Sequence, residues 1–195
     1  MIPNTKDREL DSNGVTESQE FGISRGDESH IMTILRDTLY SDKILAVLRE
    51  YSSNAWDSHR ASGKADVPIK VTIPTASDLT LSIQDFGNGL SHQDVFEVFT
   101  QYGASTKRND DNSVGMLGIG SKSGFAYSDS FTITSCHGGT RRIYAAVLDK
   151  SEKGVINLLN EEPCGEETGV TIQIAVRPTD VWEFQEKARN LFQYF

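Results

Sequence analysis

Four runs rich in β-branched and aromatic residues, at about 131–136, 141–148, 155–159 and 170–176, follow one another with only turn-forming residues between them. A run of strands without helices between them places much of a sheet in this half of the chain. Upstream, 69–74 and 79–84 read as two more strands joined by a turn at 75–78. Helical periodicity falls at 28–40, 41–62 and 91–102, with a short stretch at 121–127 and a closing helix at 179–195; residues 20–24 read as a short strand. Helices gathered in the first half and strands in the second point to an α+β fold. The expected form is a two-layer α/β sandwich, its mixed, mostly antiparallel sheet covered by helices on one face.

A chain of 195 residues with an ordinary share of apolar side chains can bury one sizeable core. Residues 1–20 are polar and almost without apolar side chains, which marks a flexible arm that gains order only on a partner. The folded domain is therefore expected over 21–195. A formal net charge of −9 argues against a general nucleic-acid or anionic-membrane surface. Cys136 and Cys164 make no metal-binding or disulfide framework by spacing, and no apolar run has the length of a signal or a membrane span. The cytoplasm is the expected compartment. The apolar finish at 191–195 implies a docked last helix or a chain cut from something longer.

Within the 41–62 helix, Ser41 and Asp42 offer N-cap chemistry, Ile44, Leu45, Val47, Leu48 and Tyr51 are apolar at helical spacing, and Gly63 is a stop. Glu50, Asn54 and Asp57 stand at i, i+4 and i+7, so their polar heads fall on one stripe. Ile44, Val47 and Tyr51 share roughly that side. A stripe that begins apolar and ends polar looks into a core at one end and a pocket at the other; a solvated face is the alternative for this motif alone.

Two glycine motifs follow. Asp85, Gly87 and Gly89 come just after a strand, where the backbone must turn sharply and let another molecule approach. An ordinary turn with a solvated aspartate has the same letters. A calcium loop is disfavoured, because Gly87 and Gly89 occupy positions that need oxygen ligands. Gly115, Gly118 and Gly120 lead into a helix start at Ser121, Lys122 and Ser123, where several backbone N–H groups and the helix dipole can face a phosphate. This is not a P-loop: Ser121 stands where that motif needs lysine, and no buried parallel strand precedes Gly115. The polar stretch at about 103–118 carries Ser105, Thr106, Lys107 and Arg108 and has no apolar period. Beside a phosphate site it is a candidate lid; otherwise it is a solubilising loop.

The order Glu50, Asn54, Asp57, then Asp85, Gly87, Gly89, then Gly115, Gly118, Gly120, then Thr168, Gly169 closely resembles the GHKL superfamily of Bergerat-fold ATPases, over roughly 28–176. Within it, the segments 102–107, 118–123 and 125–131 look most like the rIIA-like proteins of tailed phages. The resemblance implies ATP and Mg²⁺ as ligands, in a pocket between the helices and the sheet. Asp85 would hold the adenine amino group, Gly89 would leave room for the base, and Asn88 and Leu90 would line its edge. Asn54 would coordinate the Mg²⁺ that bridges the phosphates, and Glu50 would be the general base. Backbone N–H groups across Gly118, Ile119, Gly120, Ser121 and Lys122 would surround the phosphates. Lys122, fixed by the helix start, would approach the terminal phosphate, and Ser105 and Lys107 would arrive with the lid. These residue types suit their tasks on their own chemistry: a carboxylate serves as a base only while it is not a metal ligand, and a carboxamide binds Mg²⁺ without competing for the proton.

Two departures stand out. Many relatives have threonine directly after the last glycine, where Val170 stands; Thr171 points to the opposite face by strand alternation, and Thr168 is the candidate substitute. Many relatives carry a following domain that supplies a lysine to the terminal phosphate, and the 195 residues end before one, so slow or absent turnover is expected. The reading is thus a weak Mg²⁺-dependent ATPase domain that acts as a nucleotide-driven conformational or dimerisation switch. Its arm and lid would form the homodimer contact and a host protein would be the partner, in the host cytoplasm if the chain is phage-encoded. The alternative is a non-hydrolysing nucleotide-binding module whose role is host-protein interaction. Histidine kinase activity is disfavoured because His30, His59, His92 and His137 lie in no two-helix phosphoacceptor pattern.

Overall fold

A computed structural model describes residues 41–100, 120–150 and 154–193. The expected arm at 1–20, the elements at 20–24 and 28–40, and the lid with Ser105, Lys107, Gly115, Gly118 and Ile119 lie outside the described residues.

Helix α1 (Lys43–Ala61) starts where Asp42, in extended backbone, accepts the Leu45 N–H at 2.9 Å. That bond satisfies one of the helix's unpaired first-turn donors. At the other end Ser62 turns its hydroxyl back to the Ser58 carbonyl, and Gly63 takes a φ of 71°, which glycine adopts without a Cβ penalty. Ile44, Val47, Leu48, Tyr51 and Ala55 form the buried stripe.

The sheet comprises β1 (Lys70–Thr72), β2 (Thr80–Gln84), β3 (Ser130–His137), β4 (Thr140–Leu148), β5 (Gly154–Pro163) and β6 (Gly169–Ala175). Its order is β1-β2-β6-β3-β4-β5, and every neighbouring pair is antiparallel. The last strand in sequence inserts between β2 and β3, which places the chain around Gly169 beside the end of β2. Alternation divides the two faces. Leu81, Ile83, Phe131, Ile133, Tyr144, Ala146, Ile172 and Ile174 are buried under the helices. Thr80, Ser82, Gln84, Thr132, Thr134 and Thr171 turn the other way and are only half-buried.

Two short elements carry the chain into β3: a 3₁₀ turn at Gly120–Lys122 and the one-turn helix α3 (Gly124–Tyr127). A single helix over 121–127 was the sequence expectation; the break falls at Ser123, whose N–H bonds the Gly120 carbonyl, while Tyr51 takes the Gly124 N–H. Phe131 fills the space beneath, with ring centroids 4.9 Å from Phe125 and 6.1 Å from Tyr51. Burying each such ring contributes roughly 2–3 kcal/mol. Helix α2 (His92–Thr100) adds Val95 and Phe99 to the core, and α4 (Val181–Phe192) adds Phe184 and Ala188. Lys187 of α4 bonds Asp42, so the capping residue of α1 also fastens the closing helix.

Two strand boundaries differ from the hydrophobic pattern. β5 runs on to Pro163 because Glu161 and Glu162, on an edge strand, need no burial and pair with Arg142 and Arg141 at 2.6 and 3.1 Å. β1 stops at Thr72, short of Pro74, which has no N–H to give a ladder.

Candidate functional site

Helix α1 crosses the sheet so that its polar stripe ends at the loop after β2. Asp85 continues the inward-facing alternation of Leu81 and Ile83 and is 6% exposed. Its Oδ1 accepts two bonds, from the Ser58 hydroxyl at 2.9 Å and from the Gly87 N–H at 2.8 Å. Desolvation nevertheless dominates and pushes the Asp85 carboxyl above its ordinary pKa, against those bonds. A buried carboxylate with a raised pKa gains from any ligand that brings it a further donor.

His59 and Lys64 hold the same loop from beneath. The Phe86 N–H donates to His59 Nε2 at 2.7 Å, so the fully buried imidazole carries its proton on Nδ1, which donates to the Val67 carbonyl at 2.7 Å. The Lys64 ammonium donates to the Phe86 carbonyl. Two glycines are required by close backbone approach: a Cβ on Gly89 would strike the Cys136 carbonyl, and one on Gly169 the Asp85 carbonyl. At Gly89 the missing Cβ thus serves packing on β3. Leu90 is pinned there too, exchanging bonds with the Ser135 hydroxyl at 2.8 Å, and the Asn88 carbonyl faces His137 Nδ1 at 3.0 Å while its side chain is exposed.

The other end of the stripe meets the turn before α3. A Cβ on Gly120 would lie 2.6 Å from Glu50 Oε2, so the turn packs directly on that carboxylate. Glu50 is half-buried and, among the described residues, pairs with Arg49 at 3.1 Å in a solvent-facing ion pair. Such a pair contributes at most about 1 kcal/mol and readily yields to water. Tyr51, next along, donates to the Ser121 carbonyl and accepts the Gly124 N–H, each at 3.0 Å. Lys122 is 4% exposed, and burial lowers its pKa to about 8; its Nζ donates to the Ser121 hydroxyl at 3.2 Å.

The structure thus gathers Glu50, Gly120, Ser121 and Lys122 beside the middle of α1 and joins the C-terminal part of α1 to Asp85, with Asn54 half-buried and Asp57 buried and engaged between them. Thr168 is placed apart from Asp85's carboxylate: its hydroxyl accepts from Lys64 at 3.3 Å. Val170 lends only its carbonyl to the Asp85 N–H, and Thr171 lines the opposite face. Sequence reasoning missed Tyr51, Ser58, His59 and Lys64 as site residues. Ser58, one turn beyond Asn54, continues the stripe and was visible by spacing; His59 and Lys64 lie off it and gave no signal.

The family model for histidine kinase-, DNA gyrase B- and HSP90-like ATPases matches residues 43–172. The chain is 29% identical to chaperone protein HtpG of Aliivibrio fischeri over 61% of its length, and 25% identical to chaperone protein HtpG of Nitrosomonas eutropha over 77%. It spans about a quarter of those relatives, 23% and 27% respectively. With the family match running from the start of α1 into β6, the chain belongs to the histidine kinase-, DNA gyrase B- and HSP90-like (GHKL) ATPase family.

Proposed function

We propose that this domain binds ATP with Mg²⁺ and hydrolyses it slowly, and that the bound nucleotide sets the conformation it presents to a partner. The observation that carries the reading is that one helix touches both ends of the site: Glu50 against Gly120, and Ser58 on Asp85. Those positions are eight residues apart, about 12 Å along the axis, which is on the order of the reach of a nucleoside triphosphate from base to terminal phosphate. Asp85 accepts from the adenine amino group, a contact that its desolvated carboxylate favours. The N–H groups of the 120–122 turn and the Lys122 ammonium face the phosphates.

Glu50 suits the base. It sits at the phosphate end, half-buried, with a solvent-facing ion pair to Arg49 that yields readily to water, and so can take a proton from a water that attacks the terminal phosphorus. The bond from that phosphorus to the bridging oxygen then breaks, giving ADP and phosphate. Mg²⁺, when bound, would neutralise charge on the phosphates, with Asn54 as its protein ligand. Mg²⁺ keeps most of its waters and takes few protein ligands, so the ion would be shared with the nucleotide.

Calorimetry and a phosphate-release assay on Glu50→Ala test this. The variant should bind ATP with affinity near that of the unaltered chain and lose hydrolysis. Undiminished hydrolysis removes Glu50 from the role of base, and absence of ADP or ATP binding in the unaltered, Mg²⁺-supplied protein removes the whole reading.

Exposed Trp182 and Leu159, at 70% and 62%, favour a second reading in which the output is protein contact and the nucleotide a structural ligand. This is the role the rIIA-like resemblance suggests, with a host protein or a second copy as the partner. Equal affinity for ADP and ATP without turnover would select it, since a ligand that does not discriminate states cannot shift them.

A further inference from the structure

The open face of the sheet, opposite the helices, brings the chain's two cysteines together. Cys136 sits in β3 with Arg141 and Gly169 as its cross-strand partners. Cys164 follows the end of β5, and its N–H bonds the Gly139 carbonyl at 3.0 Å, at the tip of the β3–β4 hairpin. From there the chain crosses the hairpin end to reach β6. Glu166, Glu167, Thr168 and Cys136 then border one cavity of about 310 Å³. The hairpin tip is tight, with Gly138 and Gly139 at φ of 58° and 76°, which lets the crossing segment come down close to β3.

Within this crossing the Cys164 sulfur lies 3.5 Å from the Glu167 carbonyl and within side-chain hydrogen-bonding reach of Cys136. Arg141, the cross-strand partner of Cys136, donates to Glu162 and Glu167 at 3.1 and 2.7 Å. Both thiols are half-buried, open to a small oxidant yet outside the core. Cys136 lies opposite Arg141 in the β3–β4 ladder, and Cys164 sits beside it as a second thiol. That is the arrangement of an attacking and a resolving cysteine.

We propose that Cys136 and Cys164 form a modification site that closes to a reversible intramolecular disulfide when met by a small disulfide oxidant of the glutathione type. The Cys136 thiolate attacks one sulfur of the oxidised glutathione, forming a mixed disulfide and expelling one glutathione thiolate. The Cys164 thiolate then attacks the Cys136 sulfur, forming the intramolecular bond and expelling the second glutathione thiolate. The two protein thiols lose two protons and two electrons in total, and one glutathione disulfide becomes two glutathiones. The product fastens the 164–168 crossing to β3, beside the strand contact that seats the Gly89 turn.

The test equilibrates the full chain with reduced and oxidised glutathione over a range of ratios, quenches with a maleimide, and measures intact mass and non-reduced peptides. The expected product is a monomer that has lost two hydrogens, carries no glutathione, and yields one linked peptide containing Cys136 and Cys164. Cys164→Ser should stop at one glutathione on Cys136. The oxidised chain should melt on the order of 5 °C above the reduced one, because the bond constrains the unfolded state. Glutathione on both cysteines, disulfide-linked dimers, or two free thiols under fully oxidising ratios would overturn the proposal. So would a Cys136–Cys164 link that forms only in denaturant. The readout requires no nucleotide, and stands apart from the reading of Glu50 and Asp85.

Discussion

Replacing Lys122 with methionine tests the phosphate end of the site through its charge. The side chain is buried and its pKa is lowered to about 8, so it titrates in a range where most lysines do not. Roughly three quarters of the protein carries the ammonium at about pH 7.5, and roughly one thirtieth at about pH 9.5. A phosphate's own second ionisation, near pKa 6, is complete across that span. If the complex requires the charged amine, apparent affinity for ADP or ATP should fall about 20-fold between those two conditions, or about 2 kcal/mol. Isothermal calorimetry should also show proton uptake on binding at the alkaline end. Lys122→Met should bind more weakly near neutrality and show no such slope, and adenosine, which lacks phosphate, should show none with either protein. A flat profile in the unaltered chain, or an undiminished slope in Lys122→Met, refutes the assignment. Stability runs the other way. Because the folded pKa lies below the unfolded one, the charged form is penalised by folding. Stability is therefore lower below about pH 8 and rises as pH climbs toward the ordinary lysine range. Lys122→Met should melt higher than the parent at neutral pH and lack that rise.

The raised pKa of Asp85 sets the opposite limb. An adenine amino group favours the carboxylate, so affinity should weaken on acidification, starting at a higher pH than an ordinary aspartate would give; Asp85→Asn should weaken binding and flatten that limb in calorimetry. Gly120→Ala would place a methyl 2.6 Å from Glu50 Oε2, so phosphate release should drop on the order of tenfold or more while nucleotide binding changes less. His59→Phe removes the acceptor of the Phe86 N–H and should cost about 1–3 kcal/mol in denaturant unfolding. An unchanged midpoint would show that His59 does not support the loop.

The sequence displayed what depends on periodicity. Helix α1, its Asp42 cap and Gly63 stop, and the inward rows of β2, β3 and β6 were legible because burial repeats at helix or strand spacing. It concealed what depends on pairing across the fold. The polar half of β5 is a strand only because Arg141 and Arg142 lie opposite Glu162 and Glu161, and no local pattern of Asn160 to Pro163 announces that. His59 reads as one more helical residue until Phe86 and Val67 arrive on either side of its ring. Gly89 was legible as a turn, while the reason for glycine, a carbonyl of β3 against its α-carbon, requires the sheet.

These hidden contacts share a direction. Ser58, His59 and Lys64 all leave the C-terminal end of α1 and its cap for the Asp85–Gly87 loop, while Glu50 and Tyr51 leave its middle for the 120–124 turn. Two loops that share few other supports are thereby referred to one rigid rod. A helix moves as a unit on the scale of a hydrogen bond, so under the proposed function a shift of the 120–124 turn, were phosphates to draw on Lys122, would pass to α1 through Tyr51 and Glu50. It would then reach Asp85 through Ser58 and α4 through Asp42 and Lys187. Contacts of this kind couple sites only if the rod has two seats in the core, and the buried face of α1 beside α3 is where a second seat would open. Tyr51→Phe keeps the ring that packs on Phe131 and deletes both bonds to the turn. It should therefore leave adenosine binding near normal while narrowing the difference in affinity between ADP and ATP. If calorimetry finds that difference intact, the turn reports to the phosphates alone and α1 is a scaffold, with no part in passing a signal.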